Sequence, residues 1–556
     1  MLSIRLQKKI NFVALAIMLF FFALQNICLA GVLKTLMMSD QIPAELGLGA
    51  GTLVPDAPAI SNSGDIVYEA TFIPDAEGSA RVPMIITDNG SSKQIIAKAG
   101  DSVLVNGLTD TFTHFEMPEI NQYGAMVFKG YADGANGLWK ADTAGALENV
   151  AYSGTSAPDS GLNFSTFQEE HIHIAGTGDV AFLAKLTDPI LSGIEEDSIW
   201  STANGMHRVY GEGDPINGMP AGSEASVFAQ SMSFNENGRT KFVSVLSGPG
   251  INSGNNRAVL QEAGGQIAVQ WHHWTPTLGV SELFTVESPQ YAAWNRSGDT
   301  LLISKLGGVD NGLIFLDTDG VSRKVWEHQD PAPGTPWGDA KFSTYVVMNA
   351  INEAGDAAFL TPAYSPSQGQ GGHGIWVDSD GAKRLVAMSG MAAPGIPGVV
   401  FSDDIASFIP GSVPSAAHGL HLFAYSMSFS DSGFVAFHAK LSGPGVDYTN
   451  GTGIWAEDAE KNLTLIARSG DTITVSPGDE RIIAHLDLVG KESGRNRVRN
   501  SSFNSQGQLA FRAIFTDNTT GVFLYDFAIV PEPTSLLLIT IGLLSVSSRY
   551  RRAAKR

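Results

Sequence analysis

One phrase returns eight times along this chain, and it constrains the fold more tightly than any other feature. It consists of an apolar or aromatic residue, usually Asn, two variable residues, Gly, and a short apolar run that ends in an aromatic. Full copies read INQYGAMVF from Ile120, FNENGRTKF from Phe234, INEAGDAAF from Ile351 and FNSQGQLAF from Phe503. Weaker copies begin at Ile60, Ile174, Trp294 and Phe429. Their turn glycines are Gly64, Gly124, Gly178, Gly238, Gly298, Gly355, Gly433 and Gly507, spaced by 54 to 78 residues. Four residues after each stands Tyr68, Phe128, Phe182, Phe242, Leu302, Phe359, Phe437 or Phe511. Self-similarity at such a period is the mark of one supersecondary unit copied along the chain.

The chemistry of one unit is readable. Asn bonds the backbone just downstream of itself, and Gly accepts φ > 0 without a Cβ clash, so Asn-x-x-Gly is a turn. The run that follows, such as Val180-Ala181-Phe182-Leu183-Ala184, alternates large and small with period two, which is a strand. Both of its faces are apolar, so the sheet must be covered on both sides. A second phrase, Gly-Ile-Trp or a variant, recurs about 13 to 20 residues after each Gly, as at Gly137, Gly374 and Gly453. It reads as the next strand, with Asp378-Ser379-Asp380-Gly381 as its hairpin turn. About four short strands per unit, buried on both faces, predict an all-β fold: a β-propeller of about eight four-stranded blades. The alternative is an open β-solenoid, which needs capping repeats that are not evident. Phrase order favours a ring: the last unit stops near Phe527 without its final strand, and the stretch from Gly31 to Ala59 is available to supply it.

The two ends read as addresses and predict flanking helices, an N-terminal signal helix and a C-terminal short membrane helix. Arg5, Lys8 and Lys9 precede an apolar run from Phe12 to Leu24, and a small-residue site ends at Ala30 before Gly31. That order is a secretory signal cleaved between Ala30 and Gly31; the run is short of a membrane span. At the other end Val530 leads into Pro531-Glu532-Pro533, an apolar segment Leu536 to Val546, and a basic cluster of Arg549, Arg551, Arg552, Lys555 and Arg556. Physically this is a short membrane segment with a positive anchor. A plain tail anchor is the simpler alternative. The expected organisation is therefore a signal at 1–30, a repeat ectodomain at 31–529 and a sorting segment at 530–556.

The C-terminal order of Pro-Glu-Pro, apolar helix and basic tail closely resembles the PEP-CTERM sorting signal of Gram-negative bacteria. The resemblance implies recognition of Pro531, Glu532 and Pro533 by an exosortase, after signal peptidase has acted at the other end. It also implies a place at the envelope surface or extracellular matrix, beside extracellular polysaccharide. The eightfold phrase resembles bacterial surface proteins with tandem Asn-x-x-Gly-x-x-Ala-Phe repeats and a choice of anchors. Departures are Ser61, Ala175 and Ser430 at the Asn position and Leu302 at the Phe position. That resemblance brings architecture and localisation, and no established activity.

Charge narrows the partners. The signal holds three basic residues and the tail five basic and one acid, which leaves 27 basic against 55 acidic residues, a net of −28, between them. Such a surface is self-repelling and unsuited to nucleic acid or other polyanions. The single Cys28 leaves with the signal, so no disulfide framework or thiol chemistry is expected.

Catalytic constellations are missing from the sequence. It contains no Gly-x-Ser-x-Gly elbow, His-Glu-x-x-His or P-loop. Glu169-Glu170-His171-Ile172-His173 places two imidazoles on one strand face, either a metal pair or a polar strand edge. Trp271 and Trp274 fall where other units carry a Ser-Gly-Asp loop, and read either as a carbohydrate platform or as packing between blades. Asp317, Asp319, Asp378 and Asp380 are weak calcium candidates, since hairpin turns use the same residues for backbone reasons. No other cofactor is expected. The chain reads as a non-enzymatic structural, adhesive or binding propeller; the alternative is a propeller lyase or hydrolase acting on extracellular polysaccharide.

Overall fold

In the computed structural model the described residues run from Gly31 to Phe527, apart from 106, 191–194, 226–230, 253–254, 264, 273–283, 287–291, 307–309, 344–345, 403–423, 490 and 493–500. The expected terminal helices lie outside these residues, and among the described residues no helix is long and apolar enough to cross a membrane. The chain divides into two compact units, residues 34–524 and the two chain ends, 1–33 with 525–556. In the second unit the Tyr525 and Phe527 rings meet edge-on at 4.8 Å.

The first unit is an eight-bladed β-propeller. Its sheets span residues 51–98, 102–152, 163–211, 224–272, 284–327, 341–388, 400–468 and, for the last blade, 472–526. The third blade has the plainest form: Asn163–Ile174 innermost, then Val180–Thr187, Glu195–Ser201 and His207–Gly211, all antiparallel. The seventh takes an additional short strand, Lys491–Glu492, onto its inner strand Ala424–Phe429. The eighth is completed by the strand Val32–Met38 alongside Thr520–Asp526. Ser39 N donates to Thr520 O at 2.7 Å, and Thr520 N donates to Ser39 Oγ at 2.9 Å. An early strand in the last sheet joins both ends of the array and removes its open edges.

Each repeated residue has a structural task. All eight turn glycines lie at positive φ, between 71° and 93°. The Asn before them folds its own turn: Asn121 Oδ1 accepts from the N–H groups of Tyr123 and Ala125, both at 3.0 Å. Asn235, Asn352 and Asn504 repeat that pair of bonds. The amide nitrogen reaches onward to the same level of the next blade. Asn121 Nδ2 donates to Ala175 O at 2.8 Å, Asn295 to Asn352 O at 2.9 Å, and Asn504 to Ser61 O at 3.0 Å, across the join of last and first blades. Ser61 and Ser430 keep the first task with one accepted bond each, and Ala175 keeps neither side-chain bond.

The second phrase builds the core. Trp139, Trp200, Trp376 and Trp455 are fully buried. In the second, sixth and seventh blades the Trp stacks on the phrase aromatic of the neighbouring strand at 6.2–6.4 Å and meets a Phe of the inner strand edge-on at 4.8–5.0 Å. The Gly two residues earlier leaves space for the ring: a Cβ on Gly374 falls 2.5 Å from Trp376. Loops from the preceding blade cap two of the indoles, Trp376 Nε1 donating to Pro333 O at 3.0 Å and Trp455 Nε1 to Pro394 O at 3.1 Å. A β-bulge recurs at this level in the last two strands of the first seven blades, which raises their twist.

Candidate functional site

The innermost strands of all eight blades line a central cavity of about 140 Å³. Its wall at the Asn-turn level is a ring of the residues that precede each Asn position, among them Ile60, Ile120, Phe234 and Phe503. The residue after the Asn position differs from blade to blade, and several of these residues link blades to one another. Asn62 Nδ2 donates to Asp431 Oδ2 at 2.6 Å, and Arg296 NH1 donates to the same oxygen at 3.0 Å. The Arg296 backbone N–H donates to Glu353 Oε1 at 2.6 Å. Glu236 accepts from Gln122 at 3.2 Å and from the Gly176 N–H at 2.7 Å, with Arg296 Nε 3.9 Å away. First, second, third, fourth, fifth, sixth and seventh blades are thereby tied together over the axis. Burial pushes the Glu353 carboxyl up, against the opposing pull of Arg296. At this end of the channel the side chains form a polar lattice that borders the cavity.

Towards the other end, the inner strands of four consecutive blades carry an acid at one level: Asp487 in the eighth, Asp56 beside the first, Glu116 in the second and Glu169 in the third. Two cations on second strands bridge these acids in the same way. Arg512 reaches its own blade's Asp487 at 2.8 Å and the next blade's Asp56 at 2.6 Å. Lys129 reaches its own blade's Glu116 at 2.9 Å and the next blade's Glu169 at 3.9 Å. Tyr131 OH donates to Glu116 at 2.5 Å, and the Lys129 ammonium lies 5.0 Å over the Tyr131 ring. His114, exposed, stands 5.6 Å from that ring. Burial favours neutral Lys129, but its bonds to Tyr131 and Glu116 outweigh burial and hold its pKa above the usual lysine range. Burial, then the bond to Glu116, raises the Tyr131 phenol. Asp487, pushed up by burial, is brought below the usual range by His485 and Arg512.

The arc is one-sided. The position after the phrase aromatic is Glu69, Lys129, His438 or Arg512 in the first, second, seventh and eighth blades, and Leu183, Val243, Ile303 or Leu360 in the other four. That contrast is written in the sequence and is the signal that sequence reasoning passed over, because attention to the repeat falls on what is constant.

The residues singled out from sequence fare differently. Trp271 is not an exposed platform. It lies in the strand Gln266–His272, paired with Val259, 2% exposed, in a core with Leu302 and Ile314. The fourth blade's last strand continues to His272. Trp274 lies outside the described residues. His171 and His173 are both buried, and His173 Nδ1 is 3.1 Å from Glu119 of the second blade. Asp317 Oδ1 accepts from the N–H groups of Asp319 and Val321 as a turn cap. Asp378 is buried, bonded to Arg323 and 3.3 Å from Lys383. Asp380 and Gly381, at φ 50° and 88°, form a hairpin turn. Among the described residues no group of three or more His, Cys, Asp or Glu side chains is arranged to hold a metal ion. Pro531, Glu532, Pro533, the basic tail and Ala30 lie outside the described residues, and Gly31 is the first described.

Solved structures match the chain at low identity. The β-propeller domain of the Trilobed protease from Pyrococcus furiosus matches at 11% identity over 75% of this chain and 99% of that one, with a TM-score of 0.37. An oligogalacturonate lyase in complex with manganese matches at 11% identity over 87% and 99%, with a TM-score of 0.34. The acylaminoacyl peptidase of Pyrococcus horikoshii matches at 10% identity over 75% of this chain and 52% of its own, with a TM-score of 0.37. No curated protein matches. Residues 530–552 match the PEP-CTERM protein-sorting motif, which implies export to a bacterial cell envelope and processing by an exosortase. The resemblance to tandem Asn-x-x-Gly-x-x-Ala-Phe surface proteins rests on the repeat phrase alone. The match that spans the propeller, residues 60–537, places the chain in a family of unknown function (DUF7453).

Proposed function

We propose that this protein is a non-enzymatic propeller of the bacterial surface or extracellular matrix, which acts as a structural, adhesive or binding module after its sorting segment is processed. One observation supports this reading above the others: at the channel end formed by the Asn turns, side chains from different blades are hydrogen-bonded to one another, Asn62 to Asp431 to Arg296 and Gln122 to Glu236. A ring cross-tied in this way serves as a rigid platform. The Gram-negative envelope is the expected setting, because the PEP-CTERM motif and the acidic ectodomain fit an exported surface protein.

A second reading, a polysaccharide lyase or hydrolase, is favoured by the carboxylates Glu116 and Glu169 on either side of Lys129. The test is incubation of the purified ectodomain with extracellular polysaccharides, followed by assays for new reducing ends and unsaturated products. The expected result is retention without product. Steady release that disappears in Glu116→Gln selects the second reading. Intact mass of the exported protein, from hosts with and without an exosortase, reports processing of the tail.

A further inference from the structure

We propose that the surface where the second and third blades meet at Lys129 and Glu169 is a saccharide subsite for an uncharged, hydroxyl-rich glycan. The juxtaposition that carries it is the His114–Tyr131 ring pair above the Glu116–Lys129–Glu169 bridge. The inference rests on the reading of the protein as a binding module and adds the place and the class of ligand.

Three features of the molecule lead to it. The first is cost. Charged groups withdrawn from water lose several kcal/mol of hydration that pairing repays only in part, so apolar residues serve stability at least as well. Four blades use Leu, Val, Ile and Leu at the Lys129 level, so the fold has no need of charge there. Lys129 is nonetheless only 9% exposed, and its partner Glu116 18%.

The second is access. Glu169 is half exposed and His114 is exposed. On the strand Leu108–Ile120, His114 and Glu116 precede Ile120, which lines the cavity at the Asn-turn level. The subsite therefore lies towards the opposite rim.

The third is chemistry. A sugar presents C–H faces that pack on aromatic rings and hydroxyl pairs that donate and accept side by side. Tyr131 and His114 supply rings. Glu169, half exposed, accepts, and the Lys129 ammonium beside it donates, so a vicinal diol finds both partners at one end of the bridge. The carboxylates already hold a cation, which disfavours a strongly cationic ligand. Acids outnumber cations along the arc and over the ectodomain, which disfavours polyanions.

The test uses the exported ectodomain, immobilised and titrated with neutral glucans and mannans, a uronate polymer and a deacetylated amino-sugar polymer, at low and high salt. A neutral glycan is expected to bind with little salt dependence. His114→Ala, a surface change, and Tyr131→Ala are each expected to weaken it by about tenfold, the share of one ring contact. Unchanged near-ultraviolet circular dichroism and melting establish that both variants fold, and His114→Ala alone suffices should Tyr131→Ala not fold. Absence of neutral-glycan binding overturns the proposal, as does binding that both ring variants leave unchanged. Tighter binding of either charged polymer, lost at high salt, overturns it as well. Release of products from a bound glycan instead overturns the non-enzymatic reading, so the two failures are distinct.

Discussion

Asn62 of the first blade and Asp431 of the seventh meet at 2.6 Å over the channel axis, although the eighth blade stands between their sheets in the ring. Arg296 of the fifth blade shares the same carboxylate oxygen. Its side chain is about one-third exposed, so the charge is partly screened and the directed bond to Asp431 carries much of the effect. Arg296→Met removes that bond and leaves Asp431 and Glu236 without their shared cation. The expected loss is about 1–2 kcal/mol in urea unfolding, with the slope unchanged. Arg296→Lys keeps the charge and recovers part of it. Equal midpoints for wild type and Arg296→Met remove the lattice from the account of stability.

Asn121 folds its own turn and holds the next blade with one side chain, and it is almost fully buried. Asn121→Ala strands the N–H groups of Tyr123 and Ala125 and the buried Ala175 carbonyl. The expected cost is about 2–3 kcal/mol by denaturant midpoint. The same change at Ser430, which makes one such bond, is expected to cost about 1 kcal/mol. A smaller effect at Asn121 than at Ser430 contradicts the double role.

These two residues also mark how far the sequence is legible. Asn121 announces itself because turn chemistry is local and the phrase repeats; Gly124 and Trp139 do so for the same reason. Arg296 does not, because the residue after each Asn position varies from blade to blade, and its meaning comes from groups 135 residues away. Lys129 and Glu169 stand 40 positions apart and meet only when blades close. Trp271 announces itself only as an aromatic, because the fourth unit lacks the Ser-Gly-Asp phrase that marks the strand end elsewhere; of its two readings, platform or packing, its burial fits packing. A repeat discloses scaffold through what stays the same, and a site through what breaks the pattern.

Gly374 and Gly381 separate two reasons for glycine within one hairpin. Gly374 has ordinary φ, but a Cβ there meets the Trp376 ring at 2.5 Å and Leu385 at 3.2 Å. The ring is fixed by Phe342, Phe359 and the Pro333 carbonyl. Gly374→Ala is therefore expected to cost about 2–3 kcal/mol through overpacking. Gly381 lies at φ 88° with nothing within 4 Å of its would-be Cβ. Gly381→Ala meets only backbone strain, about 1 kcal/mol. Urea midpoints of the two variants check the order, and loss of near-ultraviolet signal is expected for Gly374→Ala alone.

His438 gives the fold an acid limit with a definite sign. Burial, helped by His485 at 6.2 Å between ring centroids and opposed by Asp487, lowers its pKa to about 3. An unfolded chain takes the proton near pH 6.5. The folded-state value is depressed, so stability from neutral His438 is complete above pH 6.5 and falls as pH drops towards 3. The slope of that loss is about 1.4 kcal/mol per pH unit within the window. Leu occupies the equivalent place in the third and sixth blades, as Leu183 and Leu360. His438→Leu removes the proton uptake and keeps the volume near that of its counterparts. Urea unfolding at pH 7, 6, 5 and 4 is expected to show the variant losing about 2–3 kcal/mol less than wild type over that range. The carboxylates titrate in both proteins and cancel in the difference. Parallel losses in the two proteins mean that His438 takes up its proton in the folded state as readily as in the unfolded chain, and burial at this position is then not what limits stability in acid.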